Sequence, residues 1–181
     1  SAQGSPSATT GAKRTGSYGL ALPDGARVDQ SFTTVSGQQY TASAWLRIDS
    51  QSGSDWGGLR LRVADSSWNT LADSGYQTTA NSPVGTWKQL TLTFTATGTT
   101  TRILLEDFSG SALVLVSSWD EAVITANGGG SPTPTPTVTR TPTRTPTATA
   151  TSASGGCPGN TLIVNGCFET GTTSGWSESG S

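Results

Sequence analysis

Between Tyr40 and Ile48 the residues Tyr40, Ala42, Ala44, Leu46 and Ile48 fall on every second position and share one side. A period of two belongs to a half-buried strand, not to a helix. The same alternation returns along the chain in Ser17–Leu22, Arg27–Phe32, Leu59–Val63 and Trp87–Thr95. Thr101–Asp107, Leu113–Val116 and Glu121–Thr125 follow as further strand-sized runs. Pro23-Asp24-Gly25 and Ser36-Gly37 punctuate them as turns, and helical periodicity is hard to find. Seven or eight short strands with Gly-rich turns predict an all-β antiparallel sandwich with Greek-key or jelly-roll closure.

The pattern breaks at residue 128. Residues 1–127 read as the sandwich, 128–156 as a low-complexity linker, and 157–181 as a return to globular composition. In the linker Thr occupies every odd position: Thr133, Thr135, Thr137, Thr139, Thr141, Thr143, Thr145, Thr147, Thr149 and Thr151. Pro132, Pro134, Pro136, Pro142 and Pro146 lie among them and fix φ, which predicts an extended polyproline-like chain. At about 3.1 Å per residue it reaches roughly 90 Å, enough to return to its own sandwich or to cross to another molecule. Thr flanked by Pro and small residues suits dense O-glycosylation; a bare spacer is the plainer reading.

Composition excludes more than it assigns. The sequence holds no His, which removes the commonest general base and the commonest transition-metal ligand together. Carboxylate-pair hydrolysis survives that test, but the Asp and Glu residues fall at turns and strand ends without a facing pair. A net charge of −2 with scattered Lys and Arg gives no footprint for nucleic acid or anionic lipid. No apolar run approaches the roughly 18 residues that span a bilayer. A chain that opens on Ser1 and holds no Met reads as a processed product or an excerpt of a longer one. Its two cysteines, Cys157 and Cys167, read as a disulfide of an extracellular protein, within the chain or to a neighbouring copy.

Several segments are similar to a known family. Leu162-Ile163-Val164-Asn165-Gly166-Cys167-Phe168-Glu169, followed by Trp176, resembles the opening of carbohydrate-binding modules of the family 4/9/22 type, which are galactose-binding-like jelly rolls. Gly16-Ser17-Tyr18-Gly19-Leu20, Gln30-Ser31-Phe32, Ser43-Ala44-Trp45, Gly85-Thr86-Trp87 and Trp119-Asp120-Glu121-Ala122-Val123 resemble later segments of the same family. The order differs, because the family's first strand stands here at the C-terminus, after the linker. The resemblance therefore implies a sandwich lacking one strand, with an open groove of unpaired backbone groups. Leu162, Ile163, Val164 and Phe168 are the expected complement, donated in cis or by a neighbouring copy. Donation in trans is head-to-tail and propagates into a filament unless it closes.

The resemblance also implies a structural calcium ion on Asp120 and Glu169, with backbone carbonyls near Arg14 and Gly16; both carboxylates could equally cap turns. Trp56, Trp68 and Tyr76 lie in or beside Gly/Ser-rich loops where a ring could stack on a sugar, with Asp55, Arg60, Arg62, Asn69 and Gln77 as hydroxyl partners. The alternative is that these rings pack under loops or between subunits. Arg60 and Arg62 alone read as a solvated strand face, and Trp45, Trp87 and Trp176 as core. The expected function is a structural subunit or tandem repeat of an extracellular, glycosylated fibre or surface layer, with further copies of itself as partners. The alternative is a non-catalytic carbohydrate-binding module of a secreted glycoside hydrolase. Neither reading makes the chain an enzyme, a nucleic-acid binder or a membrane-inserted protein.

Overall fold

The computed structural model describes residues 5–128 and 161–180. Cys157 and all the linker threonines from Thr133 to Thr151 lie outside them. The described residues form ten strands and no helix: β1 Ser7–Thr9, β2 Gly19–Leu22, β3 Ala26–Thr33, β4 Gln39–Gly53, β5 Gly57–Asp65, β6 Thr70–Asp73, β7 Trp87–Thr95, β8 Thr100–Ser109, β9 Leu113–Ala126 and β10 Ser177–Gly180. Two antiparallel five-stranded sheets result, ordered β1-β2-β9-β4-β7 and β10-β3-β8-β5-β6. The molecule is a β-sandwich.

The alternation read from the sequence sets the inner faces. Tyr40, Ala42, Ala44, Leu46 and Ile48 of β4 meet Leu59, Leu61 and Val63 of β5 and Ile103 and Leu105 of β8 in one core. The same alternation turns Trp45 and Trp87 outward, contrary to their reading as core: each is only half-buried, under the guanidinium of Arg14 and of Arg47 respectively. Trp119 is the fully buried tryptophan, its Nε1 donating to Ser117 Oγ at 3.0 Å.

The expected strands Leu113–Val116 and Glu121–Thr125 are one strand, β9. Its register against β4 slips between Ser43 and Trp45, opposite Asp120 and Val123, where Glu121 takes a φ of 50°. A bulge re-aims side chains. Here it directs Asp120 and Glu121 at the loop 13–18: Asp120 Oδ2 accepts from the Arg14 and Thr15 amides, and Glu121 pairs with Arg14 Nη1 at 2.8 Å.

Residues 161–180 pack on their own sandwich, but Leu162-Ile163-Val164 is not a strand. Two main-chain bonds tie it to β9, Leu162 N to Ile124 O and Ala122 N to Gly166 O, both 2.9 Å. The chain then turns tightly, with Asn165 and Phe168 at φ of 51° and 56°. A Cβ on Gly166 would stand 2.0 Å from Ala122 O, so only glycine fits there. Ile163 (4% exposed) and Phe168 (0%) point inward, whereas Leu162 (45%) and Val164 (67%) do not fill the groove expected of them. Phe168 stacks on Trp176 at 5.6 Å. The buried Gln30 side chain clasps the turn, accepting from Val164 N (2.6 Å) and donating to Val164 O (2.9 Å) and Gly175 O (2.8 Å). Cys167 is held in a disulfide. The strand the segment does supply is β10, which the sequence reading missed and which extends the second sheet beside β3.

Candidate functional site

The outer face of the second sheet is the least ordinary surface of the molecule. With Leu61, Val63, Ile103 and Leu105 turned inward, the alternate residues Arg60 and Arg62 of β5 and Arg102, Leu104, Glu106 and Phe108 of β8 face outward. Strand pairing sets Arg27 of β3, Glu106 and Arg60 side by side, and Asp29, Leu104 and Arg62 in the next row.

Arg60 and Arg62 are therefore not a solvated stripe. Their Nε atoms donate to Glu106 Oε1 at 2.6 and 2.8 Å, and the Glu106 side chain is 2% exposed. Arg60 Nη1 also meets Asp73 at 2.9 Å. Arg102 pairs with Asp29 at 3.1 Å. Buried carboxylates on such a face require these partners, since an unpaired buried charge costs several kcal/mol.

Aromatic rings border one end of this network. Phe108 meets Trp56 edge-on at 5.5 Å and Tyr76 in parallel at 6.4 Å, and Arg60 lies 4.4 Å from the Phe108 ring centre. Trp56, Tyr76 and Phe108 keep 59%, 39% and 46% of their surface exposed. Beside them opens a cavity of about 370 Å³, walled by Arg27, Trp56, Glu106, Asp107, Phe108 and Ser179. That volume lies within the ordinary range of small-molecule sites. Arg27 makes no ion pair with any described carboxylate; its Nε donates to Ser179 Oγ at 2.6 Å. The Asp107 carboxyl is pushed up by burial, opposed by hydrogen bonds from Ser109 and the Gly25 amide, with Asp24 nearby adding to the rise.

The other residues singled out in the sequence are spent on architecture. Asn69 caps its own turn through Asp65 Oδ2 at 2.9 Å, and this amide is the main reason the Asp65 carboxyl is held low. Gln77 is buried under Lys88 Nζ, which donates to it at 2.6 Å. Asp55 accepts from the Trp56 and Ala112 amides. Arg62 is 9% exposed. Trp68 stands apart from Trp56, at a φ of 69° and over the guanidinium groups of Arg102 and Arg27 at 4.4 and 5.1 Å. Phe108, Glu106, Arg27 and Ser179 were not singled out. The alternation within Thr101–Asp107 places Arg102 and Glu106 on the face of Arg60 and Arg62, and extending it by one residue adds Phe108.

Asp120 and Glu169 each accept hydrogen bonds from main-chain amides of the loop 13–18. Glu169 accepts from Ser17 N at 2.9 and 3.0 Å, and Asp120 from the amides of Arg14, Thr15 and Glu121. Asp120 is fully buried, and its carboxyl is pushed up by that burial against the pull of the three amides. The groups facing both carboxylates are amide donors rather than the carbonyls a calcium ion takes. Among the described residues no three Asp, Glu, His or Cys side chains gather as a metal site. As arranged, these residues do not fit the ion.

Compared with known proteins, the chain matches no protein-family model and no curated sequence.

Proposed function

We propose that this chain is a non-catalytic, extracellular carbohydrate-binding module whose ligand lies on the outer face of the second sheet. The observation that carries the proposal is the exposed Trp56–Phe108–Tyr76 cluster beside the cavity and the charged row Arg27–Glu106–Arg60. Aromatic rings offer a flat apolar surface to the C–H face of a sugar, while fixed arginine and carboxylate groups meet its hydroxyls. Glu106 is already engaged by two guanidinium groups, and Asp107 by an amide and a hydroxyl. Neither stands free as a general base, which favours binding over hydrolysis. The disulfide at Cys167 fits an oxidising compartment. Assembly by head-to-tail strand donation needs a neighbour's segment where this chain's own residues 161–180 lie, so the exposed face is the better basis for a function.

The test is affinity electrophoresis of the full chain through gels containing soluble β-glucan, xylan or mannan, with Trp56→Ala and Phe108→Ala as controls. Retardation by at least one polysaccharide, reduced by about tenfold in affinity for either variant, is the expected result. Mobility unchanged by all three polysaccharides would overturn the proposal.

A further inference from the structure

The cavity is not built by the central sandwich alone. One wall is Ser179, which reaches the site only because residues 161–180 fold back and add β10 to the edge of the second sheet. Ser179 stands opposite Arg27 in the strand register, and its Oγ takes the Arg27 Nε–H at 2.6 Å. Arg27 differs from Arg60, Arg62 and Arg102 on this face, each of which a carboxylate fixes. With Nε held by Ser179 and the ring of Trp68 5.1 Å from its Cζ, the Arg27 guanidinium is fixed by neutral groups and keeps its charge for a ligand.

We propose that residues 161–180 are a working part of the binding site, with Ser179 the positioning residue that orients Arg27 toward a bound glycan. The proposal rests on the carbohydrate reading. It makes the site a two-piece structure: the sandwich supplies rings and charges, and the returning segment supplies the wall that aims Arg27, the arginine of this face that no described carboxylate pairs. Docking of the segment and binding of the glycan are then reciprocally coupled, so each strengthens the other.

The experiment uses the full chain with Ser179→Ala and Ser179→Thr, and two readouts. The first needs no ligand: proton exchange of the Arg27 Nε–H, followed by NMR. Slow exchange is expected in the wild type and in Ser179→Thr, which keeps the hydroxyl, and fast exchange in Ser179→Ala. The second is calorimetric affinity for cellohexaose and xylohexaose. Ser179→Ala is expected to weaken binding about five- to tenfold with its Tm within about 2 °C of the wild type, and Ser179→Thr to restore it. Wild-type exchange and affinity in Ser179→Ala would overturn the role of Ser179. If neither hexasaccharide binds the wild type, the glycan half of the proposal falls with the carbohydrate reading. The Nε–H exchange then still decides whether Ser179 holds Arg27.

Discussion

Glu106 shows most directly how this face works. It lies at 2% exposure between two guanidinium groups donated from β5, more than forty residues away in sequence. Read locally, Arg60 and Arg62 alternate with Leu59, Leu61 and Val63 and look like the polar side of a half-buried strand. The alternation is right about their side of the sheet and silent about what covers it. Glu106→Ala leaves the buried Arg62 without its anion and Arg60 with Asp73 alone, so it should lower the free energy of unfolding by about 3–5 kcal/mol. Urea unfolding of the variant checks this. A loss below about 1 kcal/mol would mean that both arginines simply turn to water.

At the level of elements, the returning segment is held by side chains more than by strand pairing. Gln30 on β3 answers three main-chain groups of residues 164–175 with one amide. Gln30→Ala is expected to cost about 1–3 kcal/mol for the polar groups left unpaired. It should also speed amide hydrogen exchange across residues 162–176 more than in β4 or β8, measured by mass spectrometry. Uniform exchange over both regions would show that the segment unfolds only with the whole sandwich. The apolar run Leu162-Ile163-Val164 reads as a complementing strand, yet it runs through bends and buries only Ile163. Phe168 at positive φ is an unfavourable backbone conformation for an aromatic residue, and complete burial against Trp176 compensates for it. No local rule predicts that trade. The bulge at Glu121 is similar, joining two expected strands into one and turning Asp120 and Glu121 onto the loop 13–18.

For the molecule as a whole, that loop joins the first sheet to the returning segment through Asp120 and Glu169. Gly16 takes a φ of 63°, and a Cβ there would stand 2.1 Å from Glu169 Oε1. With amide donors already on both carboxylates, the joint is closed without an ion. The thermal midpoint measured by calorimetry is therefore expected to be the same, within about 1 °C, in EDTA and in millimolar calcium. A calcium-dependent rise of several degrees would show that the loop carbonyls turn inward to coordinate the ion, as bound ligand stabilises by mass action.

What the sequence determined by itself was the all-β class, the inward residues of β4, β5 and β7 and the compositional break at the Thr/Pro segment. Side-chain alternation and proline geometry are properties of a few consecutive residues, so they can be read without knowing the neighbours. Only the tertiary structure decided that β8 lies between β3 and β5, that Phe108 joins Trp56 and Tyr76, and that Ser179 meets Arg27. These contacts depend on strand order and register. Register is fixed by how the two inner faces pack together, and no single segment of the chain carries that information.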